Sequence, residues 1–180
     1  MALNAYLRLT GDIQGEINGS VTQAGREDSI MVIAFNHEVE SPRNATSGLA
    51  TGKRQHKPLI ITKEIDKSTP LLMNALTNNE NLSEVILQFW RPSRSGKEFQ
   101  FYTIELTNAR IVDIHQEMLN NKYPENMQHA EREHISFVYQ KITWTYEDGG
   151  ITSTDDWESP SILSTKSGPT LSRKTRFDKK

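Results

Sequence analysis

The sequence predicts a mainly β protein, a small barrel or sandwich carrying one short α-helix. Three observations lead there. Apolar residues alternate or run in short blocks along most of the chain, and turn-forming residues separate the blocks. One stretch alone combines helical spacing with a Thr-Pro start.

Leu3 to Thr10 alternates weakly, and Gly11-Asp12 with Gly15 then marks a turn. Ile30 to Phe35 is continuously apolar, which predicts a strand buried on both faces. Leu59, Ile61 and Ile65 fall on one face of the next strand. Val85, Leu87 and Phe89 share a face of another, with Ile86 and Trp90 opposite. Phe99 to Leu106 and Ala109 to Met118 read as two strands joined by a tight Thr107-Asn108 connection. Ile135 to Tyr146 is the last long strand. Its apolar phase shifts between Tyr139 and Ile142, as a bulge or double-sided burial produces.

The helix is predicted from about Pro70 to Asn78, with Leu72, Ala75 and Leu76 as its apolar stripe and Leu71 beside it. Asp66 and Ser68 form the turn before it. Thr69 is placed to accept a hydrogen bond from the first-turn amides, and Pro70 suits the first helical position. Asn78-Asn79 supplies a left-handed end. Nine residues do not hold a helix alone, so it must pack on the sheet.

Two segments resist strand assignment. Residues 41–57 are rich in Gly, Ser, Thr and basic side chains, and loops of this length in compact domains are functional or disordered. Residues 159–180 read as an unstructured basic tail, leaving 1–158 as the single folded domain.

Composition narrows the function. The 180 residues carry a net charge of −2, which conceals +5 on residues 159–180 and −7 on the rest. An acidic body is not the footprint of a nucleic-acid-binding domain. No apolar run approaches the ~18 residues of a membrane span, and the first residues lack the pattern of a Sec-type signal. With no cysteine, the chain has no disulfides, thiolate metal sites or cysteine nucleophile.

No catalytic or cofactor signature stands out. Gly48 to Arg54 has three residues between its glycines and Arg after Lys53, where a phosphate-binding loop needs four and Ser or Thr. His129, Glu131, Glu133 and His134 have neither helical nor strand spacing for a shared metal, and read as a solvated charged turn. The strand aromatics read as core rather than as an RNA-stacking face. Asp and Glu are plentiful, so a small β-rich carboxylate-dependent hydrolase stands as the alternative. A monomeric sheet-based binding module is the third reading. In the long loop, Arg43, Lys53, Arg54, His56 and Lys57 form a basic arm suited to an acidic neighbour, including a copy of the same chain.

Three motifs carry a family resemblance. They are Tyr6-Leu7-Arg8-Leu9 with Gly11 to Glu16, the run from Pro58 to Leu72, and Asp155-Asp156-Trp157. Together they resemble the Hcp family, the tube proteins of bacterial type VI secretion, over about residues 3–158. The resemblance implies a phage tail-tube-like barrel that forms homohexameric rings stacking into tubes. It implies spike, sheath and small effector proteins as partners, and export from the cytoplasm without a signal peptide. It also implies that the 41–57 loop reaches the adjacent ring. The expectation is a structural subunit and effector carrier, not an enzyme, with no cofactor.

Overall fold

A computed structural model describes residues 3–157; the 159–180 tail and the boundary placed at residue 158 lie outside the described residues. In chain order the first strands are β1 (Ala5–Gly11), β2 (Gly15–Glu16), β3 (Ile30–Val32), β4 (Ala34–Asn36), β5 (Val39–Glu40), β6 (Gln55–His56) and β7 (Leu59–Glu64). Helix α1 (Thr69–Thr77) follows, then β8 (Leu82–Pro92), β9 (Glu98–Glu117), β10 (Arg132–Tyr146) and β11 (Ile151–Asp156). A 3-10 turn at Pro124–Asn126 precedes β10.

Nine strands form one antiparallel sheet in the order β2-β1-β8-β9-β10-β7-β4, with β3 on β1 and β11 on β10. The pattern of alternation decides the faces. Leu7 and Leu9 of β1, Val85 and Leu87 of β8, and Leu59 and Ile61 of β7 all point into one core. On β10 the inward residues are Ile135, Phe137 and Tyr139, and then Ile142. The predicted phase shift between Tyr139 and Ile142 is therefore present in the burial. The β9–β10 register shift lies earlier, between Ser136 and Phe137.

The 30–36 segment is not one strand buried on both faces. It divides at Ile33: β3 pairs with β1, while β4 pairs with β7. Ile33 and Phe35 are 42% and 44% exposed. The apolar run serves two neighbours in turn, and so bridges the two ends of the sheet as the sheet curls round. No single ladder passes through this closure.

The two strands expected on either side of Thr107-Asn108 are also one. β9 runs twenty residues without a hairpin, because the fifteen-residue β10 pairs with both halves. Asn108 takes the left-handed conformation (φ 50°) inside the strand, and its amide donates to Gln140 Oε1 at 2.8 Å. An Asn with positive φ suits a bend as well as a turn.

Helix α1 packs on β9 and buries Leu72 and Ala75. Its C-terminus closes as foreseen. Asn79 is left-handed (φ 50°), its N–H donates to Leu76 O, and Glu80 N–H donates to Ala75 O. Glu80 is buried, and its Oε1 accepts the Ile13 and Gln14 amides at 2.8 Å each. Burial alone would raise its pKa, but these bonds hold Glu80 below the usual carboxylate range. Gly11 makes room for it: a Cβ there would stand 2.3 Å from Glu80 Oε1.

Candidate functional site

The 41–57 segment is a hairpin rather than a formless loop. β5 and β6 pair at its base, and Arg43 bridges Ala50 further out. Asn44 shapes the tip: its Oδ1 accepts the Thr46 and Ser47 amides at 2.9 Å each, and Gly48 turns with φ 69°. Leu49 at this tip is 70% exposed, and Arg43 and Lys53 are exposed beside it. The composition signalled a loop because Gly, Ser and Asn are used for this local turn.

The base of the arm is tied down. His56 Nε2 lies 2.6 Å from Asp155 Oδ2, and His56 Nδ1 lies 2.9 Å from the Tyr139 hydroxyl. On the other side of that hydroxyl, His37 Nε2 stands at 2.6 Å. With Asp155 as acceptor, His56 carries its proton on Nε2. Tyr139 then donates to His56 Nδ1 and accepts from His37 Nε2. Arg54 pairs with the same Asp155 carboxylate and donates Nη2–H to the Asp156 carbonyl at 3.0 Å. Trp144 stacks on the His56 ring at 6.2 Å, and Trp157 lies 5.2 Å away.

Electrostatics follow from this packing. Burial, and secondarily repulsion from the neighbouring His56 ring whenever both are protonated, pushes His37 below its ordinary pKa. Burial and then the Asp155 charge push the Tyr139 phenol up, keeping it a proton donor. Asp155 loses water too, yet its bonds from Arg54 and His56 prevail and hold it ionised.

The five basic residues predicted for the arm thus go to different places. Arg43 and Lys53 point outward. Arg54 and His56 turn back onto Asp155, and Lys57 pairs with Glu38 at 2.7 Å. His37, Tyr139 and Asp155 were not foreseen as partners. The Asp155-Asp156-Trp157 motif was the available signal.

At the helix start, Asp66, Ser68, Thr69 and Pro70 do meet, with one correction. Ser68, not Thr69, is the N-cap residue, and α1 begins at Thr69. The Thr69 hydroxyl is drawn instead toward a buried ion pair. Lys63 Nζ donates to Glu133 Oε1 at 2.7 Å and to Thr69 Oγ1 at 3.1 Å, and Thr69 donates to Glu133 at 2.8 Å. Asp66 receives the Ser68 amide and hydroxyl and pairs with Lys63 at 3.0 Å. Burial opposes its charge, but these partners hold Asp66 below the usual range.

Glu133 therefore does not belong to a solvated turn. It points inward opposite Lys63, while His134 points outward to Thr62 and Glu117. The alternation did carry this signal: Lys63 is in phase with Leu59 and Ile61, and Glu133 with Ile135 and Phe137. Ile65, expected on that same face, lies past the end of β7 and is 47% exposed.

Fold and arm together define a small antiparallel β protein built around a projecting, anchored hairpin. A family model described as "Type VI secretion system effector, Hcp" matches residues 6–146. The Major exported protein of Pseudomonas aeruginosa is 45% identical over 169 residues, covering 89% of this chain and 98% of that protein. A crystal structure of an Hcp protein superposes with a TM-score of 0.81 at 32% identity, over 87% of this chain and 99% of its own. Hcp1 from the E. coli EAEC 042 pathovar gives 0.77 at 35% identity, with the same coverage. The chain belongs to the Hcp family. It is a tube subunit of the type VI secretion system.

Proposed function

We propose that six copies close into a ring, that rings stack through the arm, and that the tube carries small effector proteins outward. Spike and sheath proteins of the same system are its further partners, and export starts from the cytoplasm. The role is structural rather than catalytic. In this reading residues 1–158 are the building unit, and the basic 159–180 tail is an appendage to it.

The observation that carries the reading is the contrast along the arm. Its base is fixed by four side chains from β6, β10, β11 and the β4–β5 link, whereas Leu49, Arg43 and Lys53 at its outer part are exposed. A rigid projection with an exposed apolar tip suits a partner rather than a solvated loop. The hydrolase alternative gains no comparable support. The groove at the end of β7 holds two carboxylates, Glu64 and Asp66, and Asp66 is kept ionised by Lys63 and Ser68 instead of being poised as an acid.

Light scattering after size exclusion tests ring closure, with a mass near six times 20.5 kDa expected. Replacing Arg43 and Lys53 together with Ser is expected to leave that mass unchanged and to abolish tubes in electron micrographs. Normal tubes from this variant would remove the arm's charge from the stacking contact. A monomer at high concentration would overturn the ring.

A further inference from the structure

The division of the 30–36 segment leaves a gap in the wall of the sheet. β4 pairs with β7 only as far as Thr62, and β3 then departs to β1. The Thr62 carbonyl still accepts the Ile33 amide at 2.9 Å, but beyond it no strand among the described residues pairs with β7 on this side. The result is an open groove of about 470 Å3, in which Val21, Met31 and Ile65 supply apolar surface and Glu64 and Asp66 supply negative charge. Ile65 is 47% exposed there, an apolar side chain that the chain itself leaves uncovered.

We propose that this groove is the receptor for the arm of a second copy, with Leu49 seated on Ile65 and Met31, and Arg43 and Lys53 facing Glu64. This rests on the stacking reading above and names the surface that receives the arm. Three observations favour the pairing. Leu49 is an exposed apolar knob flanked by cations, and the groove sets apolar Val21, Met31 and Ile65 beside the exposed Glu64 carboxylate. The arm enters β7 at its start, whereas the groove lies past its end, roughly 20 Å away at ~3.3 Å per residue. The Leu49 side chain is 70% exposed among the described residues, so the arm does not fill the groove of the copy that bears it. A knob and a hole on different parts of one subunit make a heterologous contact, which propagates from copy to copy instead of closing on a pair.

The cysteine-free sequence offers a direct test. The full chain is made with Leu49→Cys and Ile65→Cys together, both exposed positions, and oxidised mildly at high concentration. A ladder of disulfide-linked oligomers on a non-reducing gel is expected. The pair Leu49→Cys with Ile13→Cys, and each single variant, are expected to give no ladder. Tubes visible by electron microscopy without the Leu49–Ile65 ladder would overturn the groove and leave stacking intact. A band at the dimer alone would overturn the propagating contact. Neither tubes nor cross-links would overturn both readings. As a second check, Leu49→Asp is expected to keep the ring mass and lose the stacks.

Discussion

Lys63 Nζ stands 2.7 Å from Glu133 Oε1, directly across the β7–β10 ladder, and neither side chain reaches solvent. The pair replaces two apolar residues in the core face and reaches on to Thr69 and Asp66, which fasten the start of α1. Removing one partner strands the other charge. Lys63→Met or Glu133→Gln is therefore expected to cost about 3–5 kcal/mol in urea unfolding. The double change Lys63→Met with Glu133→Leu is expected to recover most of that loss. Additive losses in the double variant would refute the pairing argument.

Asp155 holds Arg54 and His56 together at the arm's base. Asp155→Asn is expected to loosen the arm without unfolding the sheet. Because Arg54 and Asp155 are partly exposed, solvent discounts the loss to about 1–2 kcal/mol. Hydrogen exchange is expected to quicken at residues 39–57 and to stay unchanged in β8. An unchanged arm would mean that β5–β6 pairing alone suffices.

His37 is depressed by burial, so its neutral form is the folded form. The unfolded chain takes up a proton below its ordinary value of 6.5, and the folded chain resists. Stability from this group is thus full above that value and is lost as pH falls through the lower folded value. His37→Gln keeps a donor for Tyr139 without a titration. A thermal-melting series from pH 8 to pH 5 is expected to slope less for the variant. Parallel slopes would exclude His37 as the cause.

Gly11 and Glu80 form one unit, since a Cβ at Gly11 collides with the carboxylate that accepts the Ile13 and Gln14 amides. Gly11→Ala and Glu80→Ala are each expected to cost about 2 kcal/mol. The double variant is expected to cost much less than their sum. Strict additivity in denaturation would separate the two residues.

Glu80 also shapes acid behaviour with Asp66 and Asp155. All three are depressed in the folded chain, so their stabilisation is complete above ordinary carboxylate values and is shed as pH falls through their lower folded values. Glu80→Gln, which titrates nothing at that position, is expected to lower stability at pH 7 and to flatten its further fall below about pH 4. An identical acid limb would locate the proton uptake elsewhere.

Strand phase was legible where one face is buried, as in β1, β8 and β10, because a period of two leaves a mark in sequence. The helix was legible from its Thr-Pro start and its Asn end. The break at Ile33 was not, since a continuous apolar run does not say which neighbour each half meets. Asn108 read as a turn because the same left-handed conformation serves a hairpin and a mid-strand bend. The arm's anchor was hidden for another reason: His37 and Tyr139 are 102 positions apart, and only topology unites them. Lys63 and Glu133 could have been found, as opposite charges in the buried phase of their strands.

The arm joins the sheet through β4 and β7, which lie side by side and run back from its base. A tug on its tip therefore draws on β7 lengthwise. Its six paired positions with β10 then bear the load in shear, all at once, instead of peeling apart one after another. The His56–Asp155 contact adds a second line of transmission into β11. The hairpin is thus mounted as a handle gripped along the whole length of β7 rather than at one end of it.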